Sequence, residues 1–139
     1  MSTFTTYTTI PLPLIKAREN VEQLFINDIG QLDLLEQSLA GTTYRGEFIG
    51  LIAFIQHIAN GGEPGNKLKY LKGGEGGTEF EFRSKHLRIY AIQQPGRKII
   101  IYGGFKKATD SSDNIAVFRA IKKKFIESQK SKKWKGKNY

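Results

Sequence analysis

Thr78-Glu79-Phe80-Glu81-Phe82-Arg83-Ser84-Lys85-His86-Leu87-Arg88-Ile89-Tyr90-Ala91-Ile92-Gln93-Gln94-Pro95-Gly96-Arg97-Lys98-Ile99-Ile100-Ile101-Tyr102 decides the fold class. From Thr78 to Arg83 the phenylalanines Phe80 and Phe82 alternate with Glu79, Glu81 and Arg83, the two-residue period of a strand with unlike faces. Leu87 to Gln93 alternates again, with Ile89 and Ala91 opposite Arg88, Tyr90 and Ile92. Lys98 to Tyr102 is the most apolar run and reads as the most buried strand. Gln94-Pro95-Gly96-Arg97 joins the last two, Pro then Gly at the centre suiting a type II turn. If Ser84 to Leu87 is a four-residue hairpin loop, Arg83 faces Arg88 across the strands. Like charges directly opposite are destabilising, so this pair calls for an anion or a carboxylate such as Glu81 between them. Carrying the ladder through the Pro95-Gly96 turn sets Arg88 beside Gly103, with Phe105-Lys106-Lys107 just beyond. Arg83, Arg88, Lys106 and Lys107 therefore gather at one end of one sheet face.

Outward from this meander, the signals are helical and then irregular. Thr3 to Ile10 is rich in β-branched and aromatic residues and reads as a strand stopped by Pro11-Leu12-Pro13. Val21 to Asn27 leaves helix and strand in competition, and Asp28-Ile29-Gly30 punctuates it. Leu32, Leu34, Leu35 and Leu39 form a helical stripe that stops at Gly41. Phe48, Ile49, Leu51, Ile52, Ile55 and Ile58 form a second, ending at Asn60-Gly61-Gly62. The two read as an antiparallel helical hairpin, with His57 a structural residue on the second helix. Gly61 to Lys67 is a loop, and Lys69-Tyr70-Leu71-Lys72 leads into Gly73-Gly74-Glu75-Gly76-Gly77. That cluster lacks the Gly-Lys-Ser/Thr ending of a phosphate-binding loop and reads as a flexible connection. Asp110-Ser111-Ser112-Asp113 is a helix N-cap cluster, and Ile115, Phe118, Ile121 and Phe125 carry a helix to about Ser128. The expectation is an α+β domain over 21–128, an N-terminal extension over 1–20, and a basic tail over 129–139, disordered until it meets a partner.

Composition limits the chemistry. The 139 residues fit one core, and the 39% hydrophobic and 12% aromatic shares argue against wholesale disorder. There is no cysteine, so a disulfide framework, a thiol nucleophile and a thiolate zinc site are excluded. His57 and His86 cannot hold a metal alone, and no metal or cofactor is expected. No apolar run approaches the ~18 residues of a membrane span. Met1 to Thr9 lacks a secretory pattern, so the expected location is cytoplasmic.

Charge is unevenly distributed. Residues 1–66 hold three basic and seven acidic residues, a net of −4, whereas 67–139 hold nineteen basic and six acidic, a net of +13. A chain that segregates its charge this way has a half suited to a polyanion, and nucleic acid is the first candidate. Lys69, Lys72, Lys85, Lys132 and Lys133 are the candidate RNA-binding cations outside the cluster, with Tyr90 a candidate stacking platform for a base. Cleavage of RNA by its own 2′-hydroxyl concentrates negative charge on the non-bridging phosphate oxygens, which fixed guanidinium and ammonium groups stabilise. A simple phosphate-binding patch fits the same spacing.

At these residues the chain resembles a known family. Leu71-Lys72-Gly73, Glu79-Phe80-Glu81-Phe82-Arg83, Leu87-Arg88-Ile89-Tyr90, Ile99-Ile100-Ile101 and Gly104-Phe105-Lys106-Lys107-Ala108-Thr109 together resemble the RelE/HigB group of bacterial toxins, in a branch related to phage proteins. The resemblance covers roughly residues 21–128 and rests on order and spacing, not on one diagnostic element. It implies a small antiparallel sheet packed by an N-terminal helical hairpin and a C-terminal helix, with Val21 to Asn27 as its first strand. It also implies the toxin of a type II toxin–antitoxin module, a metal-independent endoribonuclease that cuts messenger RNA on the ribosome and is held by a cognate antitoxin.

By the same resemblance the family's two active-site arginines fall on Arg83 and Arg88, and its basic pair at the last strand on Lys106 and Lys107. Several members carry a Tyr or His at the start of the final helix as acid or base. Here Asp110 to Ala116 holds neither, which leaves His86 and Glu81 as candidates for that role. Two alternatives stand beside this reading: a gyrase poison like the related ParE proteins, and a catalytically inactive RNA-binding module of the same fold.

Overall fold

The computed structural model describes residues 4–72, 75–106 and 112–136, and side chains through residue 131 apart from that of Ser112. Among them the chain runs β1 (Tyr7–Pro11), β2 (Asn20–Ile26), β3 (Ile29–Gly30), α1 (Gln31–Ser38), α2 (Arg45–Ala59), β4 (Leu68–Leu71), β5 (Glu79–Arg83), β6 (Leu87–Gln94), β7 (Arg97–Phe105) and α3 (Ser112–Gly136). The strands form one open sheet in the order β1-β2-β7-β6-β5-β4, with β3 paired to β2. All pairings are antiparallel except β2 with β7. The class is α+β, as expected.

Helices cover both faces of the sheet. α1 packs against β2 and β7, and α2 against β2 and β5. On this face Leu32, Leu35, Leu39, Phe48, Leu51 and Ile55 meet Phe80, Phe82, Leu87, Ile89 and Ile100. α3 covers the other face, where Phe118, Phe125 and Ile126 meet Leu24, Tyr90, Ile92, Ile99 and Ile101. Each such side chain fully removed from water contributes roughly 1.5–3 kcal/mol. Double coverage explains why Val21 to Asn27 showed no clear period. Val21, Glu22, Gln23 and Leu24 are all buried, because β2 has a helix on either side. No helix among the described residues is long and apolar enough to cross a membrane.

The sheet edges carry features that discourage further pairing. β1 ends on Pro11, which has no amide to donate, and β4 is short and bears exposed Lys69. β4 is a strand where the sequence pattern left Lys69 to Lys72 unassigned. Leu68, Lys69, Tyr70 and Leu71 pair with Phe82, Glu81, Phe80 and Glu79, so a strand is made there by its neighbour. The glycine cluster beyond it has a structural reason where it is described. Gly77 sits at φ +110°, and a Cβ there would land on the Gln93 carbonyl oxygen. The Pro95-Gly96 turn is as expected, with Gly96 at φ +77°.

Two expectations need correction. Arg83 does face Arg88, but Arg88 lies opposite Gly104, not Gly103. The ladder pairs Tyr90 with Tyr102 and then Ala91 with Ile100, so Ile101 is an extra residue in a β-bulge. The second correction concerns the tail, which continues α3 as helix to Gly136. Gln94 and Gln129 exchange amide hydrogen bonds of 2.8 and 3.0 Å, and Lys130 pairs with Glu75. These polar ties, with a run of good helix formers, extend the helix past its last apolar contact. The N-cap residues Asp110 and Ser111 lie outside the described residues.

Pairing β2 beside β7 also brings the two oppositely charged halves together. Arg97 Nη1 lies 2.8 Å from Glu22 Oε1, and Lys98 pairs with Glu19. Part of the basic excess of 67–139 is thus neutralised by carboxylates from 1–66. On the α3 face, Arg119 and Lys122 hold Glu79 at 2.8 and 3.0 Å.

Candidate nucleic-acid interface and a histidine–carboxylate pair

The candidate site is organised by the turn between β5 and β6. Ser84 donates its amide to the Leu87 carbonyl at 3.1 Å, closing the loop that sets Arg83 opposite Arg88. The two arginines lie on the α3 face but have different surroundings. Arg83 is about two-fifths exposed, and its Nε lies 3.2 Å from Glu81 Oε1. Arg88 is 5% exposed, with Nη1 donating to the carbonyls of Ser84 at 2.6 Å and Leu87 at 2.8 Å. Its Nε has no partner among the described residues. Leaving such a donor buried and unpaired costs about 1–3 kcal/mol, more for a charged group.

Glu81 is the carboxylate expected between the arginines, but it neutralises Arg83 alone. Its other oxygen accepts the Tyr90 hydroxyl at 2.8 Å, and the residue is 1% exposed. Enclosed and doubly engaged, Glu81 has no route to a substrate, which removes it as the acid or base. Tyr90 is corrected as well. Its ring is fully buried between Tyr102 and Phe118, with centroids 6.2 and 5.2 Å away, so no base can stack on it. Burial first, then the hydrogen bond to Glu81, pushes the Tyr90 phenol far above its ordinary value. It holds the sheet to α3.

Exposed cations surround the same end of the sheet. Lys69 stands across from Glu81 on the edge strand, Lys85 is in the turn, and Lys106 follows β7. None of the three makes an ion pair among the described residues. The Lys106 amide donates to the His86 carbonyl at 2.7 Å, so the end of β7 is tied to the turn. Lys72 is exposed near the start of the glycine cluster, and its carbonyl accepts from Arg119 at 2.9 Å. Lys107 lies outside the described residues. Lys132 and Lys133 are placed on α3 by their backbone only.

His86 faces a different neighbourhood from the arginines, on the α2 side of the turn. Its Nδ1 is 2.9 Å from Glu47 Oε1, in the first turn of α2. Glu47 Oε2 accepts the amides of His86 at 2.6 Å and Leu87 at 3.1 Å, and it also accepts the Ser84 hydroxyl. Burial alone would push the Glu47 carboxyl up, but the donors from Ser84 and His86 outweigh it and hold the group below 4.5. The Tyr44 ring meets the imidazole edge-on at 5.1 Å and Phe105 at 5.3 Å. Ser84 connects the two neighbourhoods, its carbonyl held by Arg88 and its hydroxyl by Glu47. Sequence reading singled out His86 but missed Glu47, which lies 39 residues away on a helix with no pattern to mark it. His57 is structural, its Nε2 3.1 Å from the Glu63 carbonyl oxygen and its ring stacked on Phe54.

No protein family, curated protein or solved structure matches the chain.

If the chain binds nucleic acid, the distal part of α3 is where affinity and folding would come apart. The last described anchors are Gln129 and Lys130, so deleting Lys132 to Tyr139 should leave the melting temperature nearly unchanged. On the nucleic-acid reading, RNA affinity should fall, and its salt dependence should flatten by about 0.7 for each phosphate of a single strand that is no longer neutralised. Thermal melting and filter binding over a salt series check this. A large drop in melting temperature would mean that the distal turns are part of the core.

Proposed function

We propose that this chain is a toxin of a type II toxin–antitoxin module, of the RelE/HigB kind, acting as a ribosome-dependent endoribonuclease on messenger RNA. The observation that carries the reading is the Arg83–Arg88 pair. Two arginines are set face to face at a sheet end, and the buried one keeps an Nε donor that nothing among the described residues uses. A phosphate oxygen beside the partly exposed Arg83 is the kind of acceptor that relieves the like-charge repulsion, with the enclosed Arg88 adding its charge from behind. Lys69, Lys85 and Lys106, without an ion pair among the described residues, add positive charge that would favour a strand of RNA at this end of the sheet. The α+β class, with α1 and α2 on one sheet face and α3 on the other, supports the reading at the level of fold class.

In this reading the ribose 2′-hydroxyl attacks the neighbouring phosphorus and the bond to the 5′ oxygen breaks. The products carry a 2′,3′-cyclic phosphate and a free 5′-hydroxyl. Arg83 and Arg88 stabilise the charge that builds on the non-bridging oxygens. An acidic antitoxin segment would compete for the same basic field.

A second reading, an RNA-binding module without chemistry, is favoured by the inward ties of the site. Arg88 Nη1 caps two carbonyls, and Glu81 and Tyr90 are consumed in packing. The deciding experiment adds the purified protein to ribosomes translating a defined messenger and maps new 5′ ends. Cuts within the translated frame, ending in 5′-hydroxyl, support the nuclease. Binding without cuts supports the module. Growth arrest with intact transcripts would move the gyrase-poison alternative to first place.

A further inference from the structure

Cations stand at regular steps along β5 on the α3 face. Residues paired across a ladder share a face, so Lys69, opposite Glu81, lies on the same face as Arg83. Arg119 reaches that line from α3. Its Nε and Nη2 hold Glu79 Oε1 at 3.2 and 2.8 Å, and Nη2 also donates to the Lys72 carbonyl at 2.9 Å. Arg83, Glu81 and Glu79 are alternate residues of the strand, so each step from Arg83 to Lys69 to Arg119 advances about 7 Å along it. That step is comparable to the separation of successive phosphates in an extended single strand.

The outer surface of this line is cationic. Glu81 and Glu79 are each 1% exposed and are engaged inward by Tyr90 and Lys122. Lys69 and Lys123 are exposed and make no ion pair among the described residues. The Arg119 side chain is 44% exposed, and its Nη1 has no hydrogen-bond partner among the described residues. A cleft of 270 Å³ opens here, lined by Glu79, Arg119, Lys122, Lys123 and Ile126, together with Glu75, which Lys130 neutralises.

We propose that the β4 edge and α3 form a phosphate track for single-stranded RNA, in which Lys69, then Arg119 with Lys123, hold the phosphates that follow the one at Arg83. This rests on the RNA-binding part of the reading above and gives the strand a direction. It leaves Arg83 along β5 toward the glycine cluster, and Lys85 and Lys106 lie on the other side of the Arg83 phosphate. Arg119 is the strongest point of the track. Its guanidinium plane is already fixed by Glu79 and the Lys72 carbonyl, so little rotamer freedom remains to be lost when Nη1 donates to a phosphate oxygen. Lys69 and Lys123 act as point charges. All these contacts are to the phosphate backbone, so the track holds RNA without selecting its sequence.

The test measures binding of a labelled single-stranded RNA oligonucleotide to the full chain by fluorescence anisotropy over a salt series. Lys69→Ala combined with Lys123→Ala removes two exposed cations that hold nothing in the fold, and melting curves verify that the variant is intact. Its affinity should fall about 10-fold or more in low salt, and its salt slope should shrink by about 1.4, ~0.7 for each lost phosphate contact. Arg119→Ala should lower affinity and slope in the same way, while Lys122 remains to neutralise Glu79. Lys16→Ala removes an exposed cation beside α2, on the other side of the sheet, and should change neither quantity. Wild-type affinity and slope in the Lys69→Ala, Lys123→Ala variant, or an equal loss in Lys16→Ala, would overturn the track and leave the functional reading standing. Polyglutamate bound more tightly than RNA and released by the same substitutions would assign the surface to an acidic protein segment and overturn it as well. A wild-type protein that binds no RNA would overturn both.

Discussion

Replacing Glu79 with Ala should cost about 3–5 kcal/mol of folding stability, the range for breaking a buried ion pair by removing one partner. Glu79 is 1% exposed and Lys122 only 4%, so the substitution strands an ammonium group between α3 and the sheet. Arg119, the other partner, is partly exposed and can turn to water. Urea denaturation of the purified protein measures the loss. Changing both Glu79→Leu and Lys122→Met should cost far less, because no charge is left without its counterpart. The pH dependence has a definite sign. Burial pushes the Glu79 carboxyl up, but hydrogen bonds and charge from Arg119 and Lys122 hold it below 4.5. A group with a depressed folded value contributes its full stability above the unfolded value and loses it as pH falls through the folded one. The wild-type protein should therefore weaken as the medium is acidified below about pH 4.5, and Glu79→Ala should show a shallower fall over the same window. An unchanged melting temperature in Glu79→Ala would contradict this account.

On the nuclease reading, replacing Arg83 with Ala should slow messenger cleavage by roughly 10²–10³, the usual loss when one fixed transition-state donor is removed. Affinity for the programmed ribosome should fall much less, because the charge developing in the transition state draws on the guanidinium more than the ground-state phosphate does. Arg83 suits the test better than Arg88. It is partly exposed, whereas Arg88 Nη1 secures two carbonyls of the turn, so that its loss would mix folding with function. Arg83→Lys keeps a cation beside Glu81 while removing the planar fork, so it isolates the guanidinium from simple charge. Rate and affinity falling together in Arg83→Ala would indicate uniform binding, as expected of the RNA-binding module.

The meander was legible because its alternation is strong. Phe80 and Phe82 against Glu79 and Glu81 define a register, and the short loop at Ser84 fixes Arg83 opposite Arg88. The slip of one residue at Gly104 was not legible. Ile99, Ile100, Ile101 and Tyr102 are all apolar, so nothing in their order marks Ile101 as the extra residue. β4 was hidden for another reason: Lys69-Tyr70-Leu71 becomes a strand only through its partner β5. The tail lacked an apolar stripe, and the glutamine pair that extends its helix joins residues 35 apart. Tyr90 shared a face with Arg88 in the sequence pattern, but the pattern did not say that α3 would close over it. At the site the arginines could be read from spacing. Glu47 could not, because its role exists only once α2 lies beside the turn.

The single parallel pairing has a consequence for how the chain is made. β2 takes its place beside β7, whose first residue is synthesised more than seventy positions later. Until then β1, β2, α1 and α2 have no sheet centre to cover, and Leu32, Leu35, Phe48, Leu51 and Ile55 remain without their partners on β5, β6 and β7. The later meander can pair locally and quickly, but joining the two halves requires closing a long loop, the slow part of such topologies. A nascent chain halted before β7 would expose a greasy helical surface beside an unpaired strand, a combination prone to aggregate or to be captured by chaperones. Ribosomes that stall early on this messenger would thus release a sticky fragment that lacks β7 and α3, and with them Lys106 and the cover over Tyr90.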